Sequence, residues 1–306
     1  MHGTKADRTG KPPMDENGQK PSETTPMIKA YNASFFYDNE QILALDKLNV
    51  HLEQGGFIAI IGPNASGKST FAQLCNALLL ATSGDFWVLG QACTADREDY
   101  PQSRQSVGLV FQNPENQALI GIVEEDIAFG LCNLGLPPDE IELRVNEALQ
   151  AVGMQDYRKH STQRLSCGQK QKIALAGVLA MRPSCIVLDE ATTMLDPVSR
   201  QELLKILSFQ RAQQHITVIL ITHNMSEAMQ ADHLIVLDKG RVVLQGSPQE
   251  VFSKSETLLE LGLDLPPLIK LCLELAQAGC PISTQVPTAD DCEEMLFKML
   301  TKESTG

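Results

Sequence analysis

The chain has 306 residues, 43% of them hydrophobic, which suffices for one large domain with a buried core plus an appendage. Its net charge of −13 argues against a general role in coating nucleic acid, which usually needs a basic surface. No apolar run approaches the roughly 18 residues of a membrane span, and the polar opening is not that of a signal peptide, so at a membrane other subunits would have to supply the spans.

Met1 to about Pro26 is rich in Gly, Pro, Lys, Asp, Glu, Ser and Thr. It offers too little apolar surface to offset its ordering entropy and reads as a disordered tail. Patterned sequence begins at Met27. Ile28–Tyr37 and Leu48–Leu52 read as strands of an antiparallel patch, with a turn near Asp38-Asn39. Phe57–Ile61 (FIAII) is a continuous apolar run, the mark of a strand buried on both faces. The pattern predicts a helix from Gly67 to about Leu80, ended by a turn at Ser83-Gly84, and then a short buried strand at Val107–Phe111.

From Asn113 onward helical patterns dominate, broken at Leu136-Pro137-Pro138, and predict an inserted helical subdomain over about 113–181. Its last helix starts near Ser166 and stops at Arg182-Pro183. Strands alternating with helices follow at Ile186–Leu188, Thr217–Thr222 and Leu234–Leu237, which argues for a mostly parallel sheet. Beyond Gly246-Ser247-Pro248 the pattern is helical and acidic. The expectation is an α/β fold with a mostly parallel core sheet, an antiparallel β patch, a helical insert and a small C-terminal helical region. Residues 1–26 form the tail, 27–247 the main domain and 248–306 the C-terminal region. The eight cysteines show no CxxC pair or regular spacing and read as reduced thiols rather than a zinc site or disulfide framework.

The chemistry starts after FIAII. Gly62-Pro63-Asn64-Ala65-Ser66-Gly67-Lys68-Ser69, with Thr70 next, follows a buried strand and opens a helix, the context that a phosphate-binding loop requires. The glycines let backbone N–H groups turn toward phosphate, Lys68 reaches the β- and γ-phosphates, Ser69 offers a hydroxyl to Mg²⁺, and the helix N-terminus adds its positive end. Ala65 fits there if its backbone angles are ordinary. Downstream, Asp189 ends an apolar strand where it can hold Mg²⁺, and Glu190 beside it is placed to orient and polarise an attacking water.

Between these two lies Leu165-Ser166-Cys167-Gly168-Gln169. An LSxGQ pentapeptide flanked by a phosphate loop and an acidic strand end resembles the ATP-binding cassette ATPases. The resemblance implies a phosphate-loop cassette fold, ATP and Mg²⁺ as ligands, and ATP hydrolysis. It also implies a dimer, because in that family the pentapeptide, here Ser166, Gly168 and Gln169, serves the nucleotide of a partner subunit. By the same resemblance Gln112 belongs to the loop whose glutamine faces Mg²⁺ or the water. His223 is the switch histidine on the γ-phosphate, and Asp196 lies in a loop that crosses the dimer seam. Tyr37, favoured over Phe36, stacks on adenine. Read as residues alone, Asp196 and Ser166 are also good helix N-caps, His223 also reads as a loop histidine, and Tyr37 as an edge aromatic.

Several segments resemble a narrower branch, the ATPases of energy-coupling factor importers for vitamins and for cobalt or nickel ions. They are Val110–Gln117, Val123–Gly130, Asn133–Pro137, Asp189–Pro197 and Leu261–Pro266. That branch implies a second ATPase subunit, identical or related, together with a transmembrane coupling subunit and a substrate-binding membrane subunit, on the cytoplasmic face of the cell membrane. The alternatives are the ATPase of a conventional solute transporter, a soluble cassette ATPase, and a regulatory cassette that binds ATP without splitting it. Intact Glu190, His223 and LSCGQ oppose the last.

Overall fold

The computed structural model describes residues 25–37, 41–93, 101–117 and 120–278. The expected tail up to residue 24, the turn at Asp38-Asn39 and the C-terminal region from residue 279 lie outside the described residues. The elements in chain order are β1 (Ile28–Tyr37), β2 (Ile42–Leu52), β3 (Phe57–Ile61), α1 (Lys68–Cys75), β4 (Ser83–Val88), β5 (Gln91–Ala92), α2 (Pro101–Ser106), β6 (Val107–Val110), α3 (Val123–Asn133), α4 (Pro138–Ala151), α5 (Cys167–Ala180), β7 (Cys185–Asp189), α6 (Pro197–Gln214), β8 (Thr217–Ile221), α7 (Met225–Ala228), β9 (His233–Asp238), β10 (Arg241–Gly246), α8 (Pro248–Phe252), α9 (Ser255–Glu260) and α10 (Pro267–Gln277).

Two sheets organise them. One has four strands in the order β2-β1-β4-β5, paired antiparallel. The other has six in the order β10-β9-β3-β8-β7-β6, parallel except for β10, which folds back antiparallel on β9. The parallel strands are apolar on both faces because both faces are covered. Phe57, Ala59 and Ile61 of β3 join a core shared with α3, α4, α5 and α6, whereas Ile58 and Ile60 join a second core between the two sheets. Strands β7, β8 and β9 alternate in the same way. Helix α1 sits in the second core through Phe71, Ala72, Leu74 and Cys75. The C-terminal helices pack into the first core through Phe252, Leu258 and Ile269.

Three sequence expectations need correction. Helix α1 stops at Cys75, not Leu80: the Asn76 side-chain amide bonds the Val107 carbonyl, and Ala77 turns left-handed at φ 54°. Ser83 and Gly84 open β4 rather than forming a turn, because Ser83 pairs with Ser34 across about fifty residues of chain. Strand β2 begins at Ile42, six residues before the expected Leu48. The cysteines at 75, 93, 132, 167, 185 and 272 carry no disulfide, and four of them are buried. Burial pushes the Cys75 and Cys185 thiols up, which keeps both protonated.

Candidate active site

The carboxyl ends of β3, β8, β7 and β6 open on one edge of the six-stranded sheet, where ligands collect in open α/β sheets. From β3 the chain turns through Gly62–Gly67 into α1. Ser66 N bonds Pro63 O at 3.3 Å, and Phe71 N bonds Gly67 O at 2.9 Å as the helix begins. Ala65 sits at φ 60°, so the condition of ordinary backbone angles is not met. Left-handed backbone costs a non-glycine residue about 1–2 kcal/mol, and alanine bears it because its side chain is a single exposed methyl. The Ser66 hydroxyl is buried with no hydrogen-bond partner.

The loop is braced from behind. In the β9–β10 turn, Gly240 N donates to Ser66 O at 2.9 Å, and Gly240 O accepts from Asp46 N at 3.0 Å. Gly240 has φ 78°, and a Cβ there would lie 2.7 Å from Ala44 O, so this tie needs glycine.

Lys68 is buried, and its Nζ donates to Gly62 O and Pro63 O, both at 2.9 Å. Burial pulls its pKa down while Glu190 and Asp189 hold it up. Ser69 Oγ donates to Asp189 Oδ1 at 3.1 Å, joining the first turn of α1 to the end of β7. Burial pushes the Asp189 carboxyl up. The Ser69 hydroxyl acts against that push, Glu190 adds to it and Lys68 opposes it. A hydroxyl and a carboxylate side by side are hard oxygen donors of the kind Mg²⁺ takes from protein when phosphates supply the rest, so the donor set fits that ion. Among the described residues no cluster of three or more His, Cys, Asp or Glu forms a self-sufficient metal cage.

Glu190 is a non-glycine residue at φ 53°. Strain of this kind gathers at functional sites. Its Oε1 lies 2.7 Å from His223 Nε2, so the residues ending β7 and following β8 meet. Gln112 is exposed in the bend after β6. Tyr37, at the end of β1, is partly exposed, makes a T-shaped contact with Phe35, and shares a 3.2 Å hydrogen bond between its hydroxyl and Thr70 Oγ1. That bond sets the aromatic ring beside α1.

The pentapeptide stands apart from these groups. Ser166 caps α5 in a full capping box: its Oγ accepts from Gln169 N, and Gln169 Oε1 accepts from Ser166 N. Asp196 caps α6, accepting from Val198 N, Ser199 N and the Ser199 hydroxyl. Gly168 lies against that cap. A Cβ on it would meet Ser199 Oγ at 2.6 Å and Ser199 Cβ at 2.9 Å, so a side chain there would have to push Ser199 aside.

Sequence reasoning missed several residues. Gln171 is fully buried in α5 and donates to Phe111 O at 3.1 Å, one residue before Gln112. Gln117 bonds Phe111 N and Leu109 O across the same bend. Glu227 is buried beside the histidine loop. Of these only Gln171, a polar residue on the buried face of α5, carried a signal in the sequence.

A strand, a phosphate loop, a helix and a second strand ending in paired acids define a phosphate-loop nucleoside triphosphatase. The ABC transporter family model matches residues 45–193. The chain is 48% identical over 277 residues to the energy-coupling factor transporter ATP-binding protein EcfA1 of Clostridium perfringens, covering 89% of this chain and 98% of that protein. It is 47% identical over 275 residues to EcfA1 of Caldanaerobacter subterraneus subsp. tengcongensis, covering 89% and 99%. The chain therefore belongs to the energy-coupling factor transporter ATP-binding proteins, a family of ABC ATPases. Among solved structures it resembles cbiO1 of Clostridium perfringens, described as part of the ABC transporter complex cbiONQ, with TM-score 0.71, 35% identity, and 83% and 98% of the two chains covered. It also resembles the ATP-binding cassette MJ0796, solved as a dimer in a post-hydrolysis state with ADP and Pi, with TM-score 0.65, 26% identity, and 72% and 99% covered.

Proposed function

We propose that this chain is the ATP-hydrolysing subunit of an energy-coupling factor importer. It pairs with a second ATPase subunit and attaches to the cytoplasmic face of the membrane through a transmembrane coupling subunit and a substrate-binding subunit. The cargo is a vitamin or a cobalt or nickel ion. No helix among the described residues is long and apolar enough to cross a membrane, which suits a peripheral subunit. Residues 27–247 act as the cassette and 248–306 as a C-terminal helical region.

The observation that carries this reading is the meeting of Lys68, the Ser69–Asp189 pair and the Glu190–His223 pair at neighbouring strand ends. On ATP binding, the Lys68 ammonium exchanges two carbonyl partners for phosphate oxygens, in the cradle of the loop from Gly62 to Thr70, where Pro63 shapes the turn and the other residues supply N–H groups. Ser69 and Asp189, with Gln112, would hold Mg²⁺, which when bound neutralises phosphate charge. Tyr37 offers its ring to adenine. Glu190 orients the attacking water and His223 steadies both Glu190 and the γ-phosphate. Water oxygen attacks the γ-phosphorus in line, the bond from it to the bridging oxygen breaks with its electron pair left on the β-phosphate of ADP, the water proton passes by way of Glu190 to the phosphate product, and ADP and inorganic phosphate leave. Catalysis is mostly positioning and charge stabilisation. Ser166, Gly168 and Gln169 present the start of α5 to the partner's γ-phosphate, and Asp196 faces the seam.

Glu190→Gln tests the reading. It leaves the cradle whole, so ATP still binds, while hydrolysis nearly stops and the protein accumulates as an ATP-locked dimer on size-exclusion chromatography with ATP and Mg²⁺. Turnover close to that of the unaltered chain would remove Glu190 from this role.

A further inference from the structure

A single buried carboxylate joins the segments that carry the proposed catalytic residues. Glu227 is 2% exposed. Its helix, α7, is only four residues long and is held by Asn224, whose side chain accepts from Ser226 N and Glu227 N. From there Glu227 Oε2 accepts from Thr222 Oγ1 at 2.5 Å and from Thr192 Oγ1 at 3.0 Å. Its other oxygen lies 3.4 Å from Arg200 Nε.

Each partner sits next to a group of the site. Thr222 directly precedes His223, and its hydroxyl also accepts from Asn224 N at 2.9 Å, so the histidine loop is bonded on both sides. Thr192 is two residues beyond Glu190, in the turn where Thr193 N bonds Glu190 O at 3.0 Å. Arg200 lies in α6, the helix capped by Asp196, and its Nη2 donates to Leu195 O at 3.3 Å. One carboxylate thus ties the loops of Glu190, His223 and Asp196 together. A buried charge is costly, and an apolar residue of similar size often replaces a buried ion pair without loss of stability. Packing alone therefore does not explain a glutamate here. Fixing the distance between two loops that must meet at a single water does.

We infer that Glu227 is a positioning residue for hydrolysis. It holds Glu190 and His223 in register, and through Arg200 it links that register to the loop of Asp196. The inference rests on the reading of Glu190 and His223 as the hydrolytic pair.

Two variants of the full chain test it. Glu227→Gln keeps an acceptor for both threonines and removes the charge facing Arg200. Thr222→Val keeps the shape and removes the hydroxyl that donates to Glu227 and accepts from Asn224 N. Thr222 lines a cleft of about 370 Å³ together with Thr192, Arg200 and His223. Both variants should lower kcat about tenfold to a hundredfold, the effect of misplacing a reacting group by a fraction of its reach. The Kd for ATP should stay within about twofold, because the phosphate cradle is untouched. Thr222→Ser should recover most of the turnover by restoring the hydroxyl. Unchanged kcat in both variants overturns the inference. So does a parallel fall of kcat, ATP affinity and melting temperature, which a merely structural pair would give. Glu190→Gln measured alongside separates the two levels. If it stays active, the hydrolytic reading itself fails and the positioning role falls with it. If it is inactive while Glu227→Gln and Thr222→Val turn over normally, only the positioning role falls.

Discussion

The phosphate loop and the start of α5 are both helix N-termini prepared for anions, yet they are finished differently. At the phosphate loop the side chains tie to this chain's own loop and strand ends: Lys68 to the loop carbonyls, Ser69 to Asp189, Thr70 to Tyr37, Glu190 to His223. At α5 the side chains close on themselves. Ser166 and Gln169 satisfy each other, which leaves the amides of Cys167 and Gly168 without a partner from the helical ladder. Among the described residues no hydrogen bond links Ser166 or Gln169 to Lys68, Asp189, Glu190 or His223. The first N-terminus is a complete half of a site. The second is a donor surface with nothing of its own to serve, which makes sense if its phosphate is held by another subunit.

The largest effect should come from breaking the complete half. Lys68→Ala removes the cation that the proposed site offers to the β- and γ-phosphates, and ATP affinity should fall by about 2–4 kcal/mol. Equilibrium binding of labelled ATP reads this directly, and an unchanged Kd would dismiss the phosphate-loop assignment.

The donor surface is tested by mixing. Ser166→Arg fills the space in front of α5 and should be inactive alone, with its own phosphate loop intact. Lys68→Ala should also be inactive alone. In a mixed dimer both defects fall on one composite site and the other is whole, so activity should partly return once co-purification through two tags shows that mixed dimers form. If proven mixed dimers stay silent, a chain carrying both changes is mixed with the unaltered chain. Activity of that mixed dimer, purified through its two tags away from unaltered homodimers, would mean that the pentapeptide serves its own subunit, and silence that both sites must work together.

The two regions also differed in how far the sequence exposed them. Strands β3, β7, β8 and β9 were readable because burial on both faces leaves continuous apolar runs, and the loop after β3 carries glycines and a Lys-Ser pair at fixed spacing. The capping box of α5 was half readable from Ser166. What resisted was anything set by distant partners. Strand β4 exists because it pairs with β1, and α1 ends where Asn76 reaches Val107. Gly240 braces the phosphate loop from more than 170 residues away, and Glu227 and Gln171 look like ordinary polar residues until their neighbours are in place.

A smaller effect should separate packing from catalysis at Gly168. Gly168→Ala puts a methyl 2.9 Å from Ser199 Cβ and 2.6 Å from its Oγ, which now donates to Asp196. Overpacking of this kind costs about 1–3 kcal/mol, visible as a lower melting temperature before any nucleotide is added. ATP affinity should be unchanged, since α1 is untouched, while turnover drops. A drop in turnover with no change in stability would show that only the approach of phosphate needs the glycine.

The smallest effect concerns Asp189, and it runs toward stability. Burial, the largest influence, raises its pKa above the ordinary 3.8, so the folded chain binds that proton more tightly than the unfolded chain does. Such a group lowers stability as pH climbs from 3.8 through the folded value, and the deficit persists in full above it. Asp189→Asn removes the charge and keeps an Oδ1 acceptor for Ser69. The nucleotide-free variant should therefore melt higher than the unaltered chain at neutral pH, and the gain should fade as the pH falls toward the acid range. The nearby Lys68 limits the gain, because the two charges attract. ATP turnover with Mg²⁺ should be lost in the same variant. An equal or lower melting temperature at neutral pH would mean that the attraction to Lys68 outweighs the cost of burial, and that the acidic strand end stabilises the empty site rather than straining it.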